Sequence, residues 1–337
     1  MGFRINTRRI KIFPGITMNL SKTGTSFSFG PRGLKYTVGP KGVRSSFGIP
    51  GTGVYYTTSK KWNSSQQSVQ KGKQQSVQQM GLLQKLFLSD EEKAFFEGIN
   101  LLSQNQKDAA YQIFIKHAET ADCSFMAGYL AMGYADFASA ERFFVQCRSK
   151  LDKLGTIATK LQNRCEFLLE ITKYIDCPIH LDKKGLFLAL AESYQHQKME
   201  STAISLLRKL NDEIPEDKVV LLSLMDISAV SNISTSGELT DLLIKTKFIE
   251  NNEPIDTNIL YYRAYISYKL GLRDPAIEQL TKILQKRKNR PDDLLFDIRY
   301  LRGRIYEELG NLKKSKADYQ IVYANDPNYK DVSTRLH

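Results

Sequence analysis

The chain has 337 residues, and its 48 lysines and arginines outnumber its 36 aspartates and glutamates, which gives a formal net charge of +12. An apolar content of 42%, only four cysteines and no run near the ~20 apolar residues of a membrane span argue against a membrane-spanning protein and a disulfide scaffold. At roughly 150 residues a domain, we expect about two domains in a soluble cytoplasmic protein.

The positive charge is concentrated in the first part of the chain. Asp90 is the first acidic residue, and 14 lysines and arginines precede it, which leaves 34 basic against 36 acidic residues for the rest of the chain. Such asymmetry indicates that the N-terminal part meets something anionic. The alternative is that these charges only keep the edges of a small sheet from aggregating.

Residues 1–60 have the turn and strand pattern of a small β-sheet. Tight turns of glycine and proline recur, for example at 30–33 and 39–42, because glycine supplies positive φ and proline presets φ in a turn. The runs 34–38 and 43–47 alternate between apolar and polar residues, which is typical of strands with one buried face. We therefore predict an antiparallel β meander that forms a separate domain.

The polar face of this predicted meander carries lysine, arginine and hydroxyl side chains and no carboxylate. Such a face suits phosphates, a nucleic-acid backbone or anionic lipid headgroups. Two alternatives remain open: an ordinary solvated face, and strand edges that pair with other copies of the chain or with a partner. The candidate anion-binding residues are Arg32, Lys35, Lys41 and Arg44.

Four short motifs occur in the same segment: Gly2-Phe3-Arg4, Ile12-Phe13-Pro14-Gly15, Asn19-Leu20-Ser21-Lys22-Thr23-Gly24 and Gly48-Ile49-Pro50-Gly51-Thr52-Gly53. On these motifs, most of residues 2–58 resembles the bacterial family named domain of unknown function 4236. The resemblance implies a β-rich module without assigned chemistry. A phosphate-binding loop is not expected, because the pattern G-x-x-x-x-G-K-[ST] is absent.

Residues 61–81 are rich in glutamine and serine, contain QQSVQ twice and have no acidic residue. This composition buries too little apolar surface to fold alone. We predict a flexible linker between the two domains.

The segment from 82 to 332 is predicted to be helical, because proline is scarce and apolar residues return every three or four positions. Small and large residues recur along it at a repeating spacing. A small residue on one helix lets a second helix approach closely, and large residues seal the pair. The recurring sets are Gly98, Ala110 and Phe114; Gly128, Ala140 and Phe144; Phe187, Leu190, Ala191, Tyr194, Ala203, Leu207, Leu210 and Pro215; Leu260, Ala264, Gly271, Ala276, Leu280 and Ile283; and Gly303, Tyr306, Gly310, Ser315, Tyr319, Val322 and Pro327.

These sets resemble tetratricopeptide repeats, which implies an α-solenoid. Residues 151–180 and 217–253 fit the pattern only as degenerate helices, so the register of the middle repeats stays open. The predicted fold class is α+β in separate domains: a small N-terminal antiparallel β meander followed by a mostly α-helical solenoid.

The resemblance to tetratricopeptide repeats also implies a binding surface. In such arrays the first helix of each pair lines a concave groove that holds a peptide or another protein. Tyrosine and arginine are the residue types that anchor protein interfaces, so we expect a protein or peptide partner. The alternative is that some of these tyrosines pack between neighbouring helices. The candidate partner-binding residues are Tyr261, Tyr265, Tyr268, Tyr300 and Arg304.

No motif requires catalysis, a metal or a cofactor. Cys165, Cys177, His180 and His196 are suitable zinc ligands, but structural zinc sites carry two tight ligand pairs and only Cys177 and His180 are close. Both cysteines have apolar, helix-like surroundings in which a buried thiol is routine. The sequence thus predicts a non-enzymatic adaptor. The alternative function is binding of nucleic acid or an anionic membrane surface through the N-terminal domain.

Overall fold

The computed structural model describes residues 88–161 and 167–336 with their side chains, and before residue 62 it describes the backbone of six strands. Each of these six pairs antiparallel with the next along the chain, and the predicted alternating runs 34–38 and 43–47 lie in the fourth and fifth. The strands are β1 (Arg8–Phe13), β2 (Ile16–Ser21), β3 (Gly24–Phe29), β4 (Leu34–Gly39), β5 (Gly42–Gly48) and β6 (Tyr55–Lys61).

The candidate anion-binding residues fall only partly within this description. Lys35 lies in β4 and Arg44 in the neighbouring strand β5. Their side chains lie outside the described residues, as do Arg32, Lys41 and linker residues 62–81. Anion binding by the N-terminal segment therefore stays a prediction.

Most of the chain after residue 88 is helical, and none of the described helices is long and apolar enough to cross a membrane. Residues 217–253, which fitted the repeat pattern poorly, fold as a pair of helices. The helices are α1 (Asp90–Ser103), α2 (Lys107–Lys116), α3 (Ala121–Gly133), α4 (Phe137–Arg148), α5 (Thr156–Lys160), α6 (Lys183–His196), α7 (Glu200–Glu213), α8 (Lys218–Val230), α9 (Ser236–Lys245), α10 (Pro254–Lys269), α11 (Arg273–Ile283), α12 (Asp292–Glu308), α13 (Leu312–Asn325) and α14 (Val332–Leu336).

Several helices begin where the sequence provides a cap. Ser89 and Glu92 form a reciprocal capping box at the start of α1, and Thr235 and Glu238 form another at α9. Each box satisfies backbone N–H groups that have no partner within the helix. Pro254 occupies the first turn of α10, where its missing N–H costs nothing. These local signals in the sequence mark where the three helices begin.

The described fold divides into two compact units. In the first, the Asp122 carboxylate on α3 accepts hydrogen bonds from the backbone N–H groups of Gly155 at 2.6 Å and Ala158 at 2.9 Å, and so holds the start of α5. The second unit contains the helix pairs from α6 to α13. The units comprise Met1–Ala127, Lys150–Glu170 and Asp176–Asp182 for the first, and Gly128–Ser149, Ile171–Ile175 and Lys183–His337 for the second.

Small residues pack against large ones within the helix pairs, as the sequence predicted. A small residue at position n on the first helix faces a second helix with a small residue at n+12 and a large one at n+16. In three pairs, residue n is a glycine whose missing Cβ leaves room for an aromatic ring. A Cβ atom there would lie 2.4 Å from the ring in Gly98–Phe114, 2.6 Å in Gly128–Phe144 and 2.7 Å in Gly303–Tyr319. The prediction of a mostly helical, repeat-like array is confirmed.

A β-hairpin replaces part of the degenerate helices predicted for residues 151–180. Strands β7 (Phe167–Thr172) and β8 (Ile175–Ile179) pair across a two-residue turn, Lys173 and Tyr174, which we call the hairpin turn. Alternation of buried and less buried residues along β8 marks it as a strand. Pro178 lies within β8. The prediction of helix here was wrong, because a short apolar segment has no periodicity that distinguishes the two structures.

Candidate partner-binding face

The five predicted partner-binding residues lie on two first helices of the second unit. Tyr261, Tyr265 and Tyr268 belong to α10, and Tyr300 and Arg304 belong to α12. The ring centroids of Tyr261 and Tyr265 are 6.5 Å apart, and Arg304 lies beside Tyr300, whose hydrogen bond raises the pKa of Arg304. We call the surface that these five residues form the first-helix face.

The Glu308 carboxylate links Tyr268 and Arg304 at one end of this face. It accepts a hydrogen bond from the Tyr268 hydroxyl and another from Nε of Arg273 at 3.2 Å. An oxygen of the same carboxylate lies 3.9 Å from Nη2 of Arg304. The hydrogen bond from Tyr268, followed by that from Arg273, holds the pKa of Glu308 below its usual range. Tyr268 and Arg304 are thus oriented by one shared carboxylate.

Tyr261 lies beneath the hairpin turn. It is 8% exposed, and the Tyr174 ring, only 2% exposed, meets it edge to face with centroids 5.8 Å apart. Beside this contact, Oγ1 of Thr172 donates to Oδ1 of Asn258 at 3.3 Å. Tyr261 is therefore covered by a segment of the chain's own hairpin.

Asp297 on α12 is the polar centre of this contact. Its carboxylate is buried and accepts hydrogen bonds from the Tyr174 hydroxyl at 2.5 Å, from Nζ of Lys173 at 2.5 Å and from Nζ of Lys330. Burial alone would raise the pKa of Asp297, but the Lys173, Lys330 and Tyr174 donors lower it to about 2. The carboxylate is therefore ionised at neutral pH and surrounded by donors.

Tyr300 is held by the C-terminal segment. Its hydroxyl donates to Oδ1 of Asp331 at 2.7 Å, and Nζ of Lys330 lies 4.3 Å from its ring centroid. The ring packs against Tyr319 in the core at the end of the second unit, with centroids 6.0 Å apart. Lys330 has φ +46°, a conformation that residues with a Cβ adopt only where surrounding contacts enforce it.

A second inward-facing carboxyl lies on the neighbouring first helix α8. Asp226 is hydrogen-bonded to the side chains of Tyr262 and Gln195 and lies near Glu192 and Lys173. Burial is the main cause that raises the pKa of Asp226 to about 6, and Glu192 adds to it, whereas the two hydrogen bonds and Lys173 lower it. Part of this carboxyl population is therefore protonated near neutral pH.

We expect Asp226→Asn to raise the free energy of unfolding at pH 7 by about 1–3 kcal/mol, because the amide removes a buried charge. The folded-state pKa of about 6 exceeds the ordinary 3.8, so the folded chain binds this proton more tightly than the unfolded chain. Wild-type stability should consequently rise as the pH falls from 7 through 6, and the two proteins should converge near about pH 4.

Urea unfolding of the wild type and Asp226→Asn at about pH 7, 5.5 and 4 measures this difference. Asp241→Asn is the control, since Asp241 is an exposed carboxylate on α9, and its effect should stay small at every pH. A gain for Asp226→Asn that does not change with pH would contradict the assignment.

The residues that complete this site were not identified from the sequence. They are Lys173, Tyr174, Asp226, Asp297 and Lys330. One signal was available for Asp297, because it interrupts the apolar stripe of α12 between Leu294 and Ile298, and a carboxylate on a buried stripe needs a partner. Nothing local indicated that the hairpin turn and Lys330 would supply that partner.

The candidate zinc ligands do not form a common site in the described residues. Cys177 is buried in strand β8 rather than in a helix, and His180 is exposed just after it. The His196 ring, at the end of α6, stacks on Phe137 with centroids 4.0 Å apart. Cys165 lies outside the described residues. Within the described part of the chain, no group of three or more histidine, cysteine, aspartate or glutamate side chains is arranged to hold a metal ion.

Two stretches of the chain match known families. Residues 3–57 match the family described as a protein of unknown function, DUF4236. Residues 297–329, which span most of α12 and α13, match the tetratricopeptide repeat. No curated protein matches the chain.

Several solved structures are similar to the chain at low sequence identity. A thermophilic repeat protein of Thermus thermophilus, TTC0263, has 14% identity and a TM-score of 0.40 over 64% of this chain and 97% of its own. PilF of Pseudomonas aeruginosa has 11% identity and a TM-score of 0.45 over 72% and 95%. YrrB, described as having an unusual peptide-binding site, has 12% identity and a TM-score of 0.42 over 66% and 95%. The chain thus has one segment that matches DUF4236 and, within its helical array, one segment that matches the tetratricopeptide repeat.

Proposed function

We propose that the chain is a non-enzymatic adaptor whose first-helix face binds a protein or peptide partner. The main support is that four tyrosines and one arginine lie together on α10 and α12. Two of them, Tyr300 and Arg304, lie within the segment that matches the tetratricopeptide repeat. Side chains of these two types dominate the energetics of protein interfaces, because they bury large areas and also form hydrogen bonds.

Part of the first-helix face remains open to a partner. Tyr265 and Tyr268 are partly exposed, and the Arg304 side chain is 37% exposed. Tyr268 and Arg304 are held through Glu308, so a partner would meet side chains whose rotamers are already restricted. Such preorganisation lowers the entropic cost of binding.

The combined variant Tyr265→Ala/Arg304→Ala is expected to lower partner recovery at least about tenfold, or ~1.4 kcal/mol in binding free energy. The tagged full-length chain would be expressed in its own cells, cross-linked and purified, and the recovered proteins quantified by mass spectrometry. Only a partner whose recovery depends on these two side chains supports the proposal.

The matched control is Lys316→Ala/Tyr323→Ala, which removes one cation and one partly exposed tyrosine from the second helix α13. It should recover the same partner as the wild type. Equal recovery by the wild type and by Tyr265→Ala/Arg304→Ala would refute binding at the first-helix face.

A second role is proposed for the N-terminal segment on the basis of its charge. Residues 1–60 would form a separate basic β domain, joined by the linker 61–81, that anchors the adaptor to nucleic acid or anionic lipid, or else self-associates through its strand edges. The support is the absence of any acidic residue before Asp90. Titration of the full chain with DNA and anionic vesicles at low salt tests anchoring, and lack of binding to both rejects it.

We also propose that the adaptor is a cytoplasmic protein. The support is the low cysteine content, four in 337 residues, as is usual in a reducing compartment. Fractionation of cells that produce the chain tests this placement, and recovery outside the cytoplasmic fraction rejects it.

A further inference from the structure

The first-helix face is partly occupied by another segment of the same chain. The hairpin turn brings two adjacent side chains to it, the Lys173 ammonium and the Tyr174 ring. Within the turn, Nζ of Lys173 lies 4.8 Å from the Tyr174 ring centroid, a cation–π distance. The cation and the ring therefore reach the face as one unit.

The face is complementary to that unit in both charge and shape. Asp297 accepts hydrogen bonds from the Lys173 ammonium and from the Tyr174 hydroxyl, and Tyr261 receives the Tyr174 ring edge to face. Asp226, on the next first helix, is a second carboxyl near Lys173. A buried carboxylate, an aromatic ring and a further carboxyl are the features that recognise a lysine beside an aromatic residue.

We infer that the Asp297 end of the first-helix face is a recognition subsite for a lysine followed by a tyrosine, and that the hairpin turn occupies it in place of a partner segment of the same chemistry. This inference rests on the proposed function and specifies the partner: a turn or tail of another protein that presents a basic residue next to an aromatic one.

The hairpin is suited to being a displaceable occupant. A two-stranded hairpin is marginally stable at best by itself, so the contacts of its turn with Asp297 and Tyr261 help to hold the turn in place. The Lys173 side chain is 60% exposed, so water can solvate its ammonium when the turn leaves, and Asp297 then keeps Lys330 as a partner. Because the turn is tethered at a high effective concentration, a partner segment must bind more tightly than the turn alone.

Binding of a defined peptide to the full-length chain tests the subsite. The probe is a fluorescein-labelled peptide with the sequence of residues 170–176, EITKYID, and the readout is fluorescence anisotropy. Lys173→Ser/Tyr174→Ser, which removes the internal occupant, should bind the probe at least about tenfold more tightly than the wild type. Adding Asp297→Asn should abolish that gain.

Two controls isolate the effect. Lys247→Ser/Phe248→Ser makes a comparable change at an exposed cation–aromatic pair, with Nζ of Lys247 at 5.3 Å from the Phe248 ring centroid, and should leave probe binding at the wild-type level. A probe with serine in place of its lysine and tyrosine should bind none of the proteins. Tighter binding that survives Asp297→Asn, or equal binding by the wild type and Lys173→Ser/Tyr174→Ser, overturns the inference.

A further variant guards against loss of folding. If circular dichroism shows that Lys173→Ser/Tyr174→Ser is unfolded, Tyr174→Phe keeps the ring against Tyr261 and removes the hydroxyl that donates to Asp297. Probe binding should then increase about threefold or more, and no increase overturns the inference. If the labelled peptide binds none of the proteins but partner recovery still depends on Tyr265 and Arg304, the subsite assignment is wrong while the adaptor proposal stands.

Discussion

Asp318→Ala is expected to lower the free energy of unfolding by about 3–5 kcal/mol, because it leaves two largely buried arginines without their carboxylate. Asp318 on α13 is 2% exposed and accepts hydrogen bonds from Nε of Arg302 at 2.8 Å and Nη2 at 2.7 Å, and from Nη1 of Arg299 at 3.1 Å. Both arginines belong to α12, so one carboxylate joins the two helices of the last pair.

Solvent cannot replace this carboxylate, since the Arg299 and Arg302 side chains are only 11% and 15% exposed. Burial by itself lowers the pKa of Arg302, but the hydrogen bonds that Arg302 donates to Asp318 raise it above the usual value. Removal of Asp318 therefore exposes the full desolvation cost of the guanidinium groups.

Urea unfolding followed by circular dichroism measures the loss. Asp241→Ala is the matched control, because it makes the same change on helix α9 at a carboxylate that is 57% exposed and 3.6 Å from Lys245. That exposed pair should contribute under about 1 kcal/mol. Losses of similar size in the two variants would show that the Asp318 cluster is not a buried electrostatic contact.

The helix pairs were predictable because their signals are local. The spacing that links Gly98 to Phe114 and Gly303 to Tyr319 reflects the close crossing of two consecutive helices, which lies within one repeat of sequence. Caps such as Ser89 and the first-turn Pro254 mark helix starts in the same local way. Periodicity likewise indicates which side of α10 and α12 belongs to the first-helix face.

The occupant of that face was not predictable, because it comes from a distant part of the chain. Tyr174 is more than 120 residues before Asp297, and neither residue alone indicates the other. The segment around the hairpin turn is short and apolar, and its two-residue turn lacks the glycine that usually identifies a hairpin. Periodicity thus indicates the side of α10 on which Tyr261 lies, whereas the burial of Tyr261 depends on a tertiary contact with Tyr174.

Gly128→Val is expected to lower the free energy of unfolding by about 3 kcal/mol, at the upper end of the usual cost of overpacking a core. A Cβ at Gly128 would lie 2.6 Å from Cε1 and 2.7 Å from Cδ1 of Phe144. Phe144 is fully buried, so its ring has no free space to move into. The helix pair α3–α4 must then separate or the ring must leave its rotamer, and thermal unfolding should shift accordingly.

Gly133→Val supplies the matched control on the same helix, since a Cβ at Gly133 would meet no atom within 4 Å. Its effect should stay within about 0.5 kcal/mol, as for other surface substitutions. A double-mutant cycle with Phe144→Leu then assigns the cause: shortening the ring should recover at least about 1 kcal/mol of the Gly128→Val loss, because residues in contact are not additive. If the two effects simply add, the loss does not arise from contact with the Phe144 ring, and the glycine is not there to admit it.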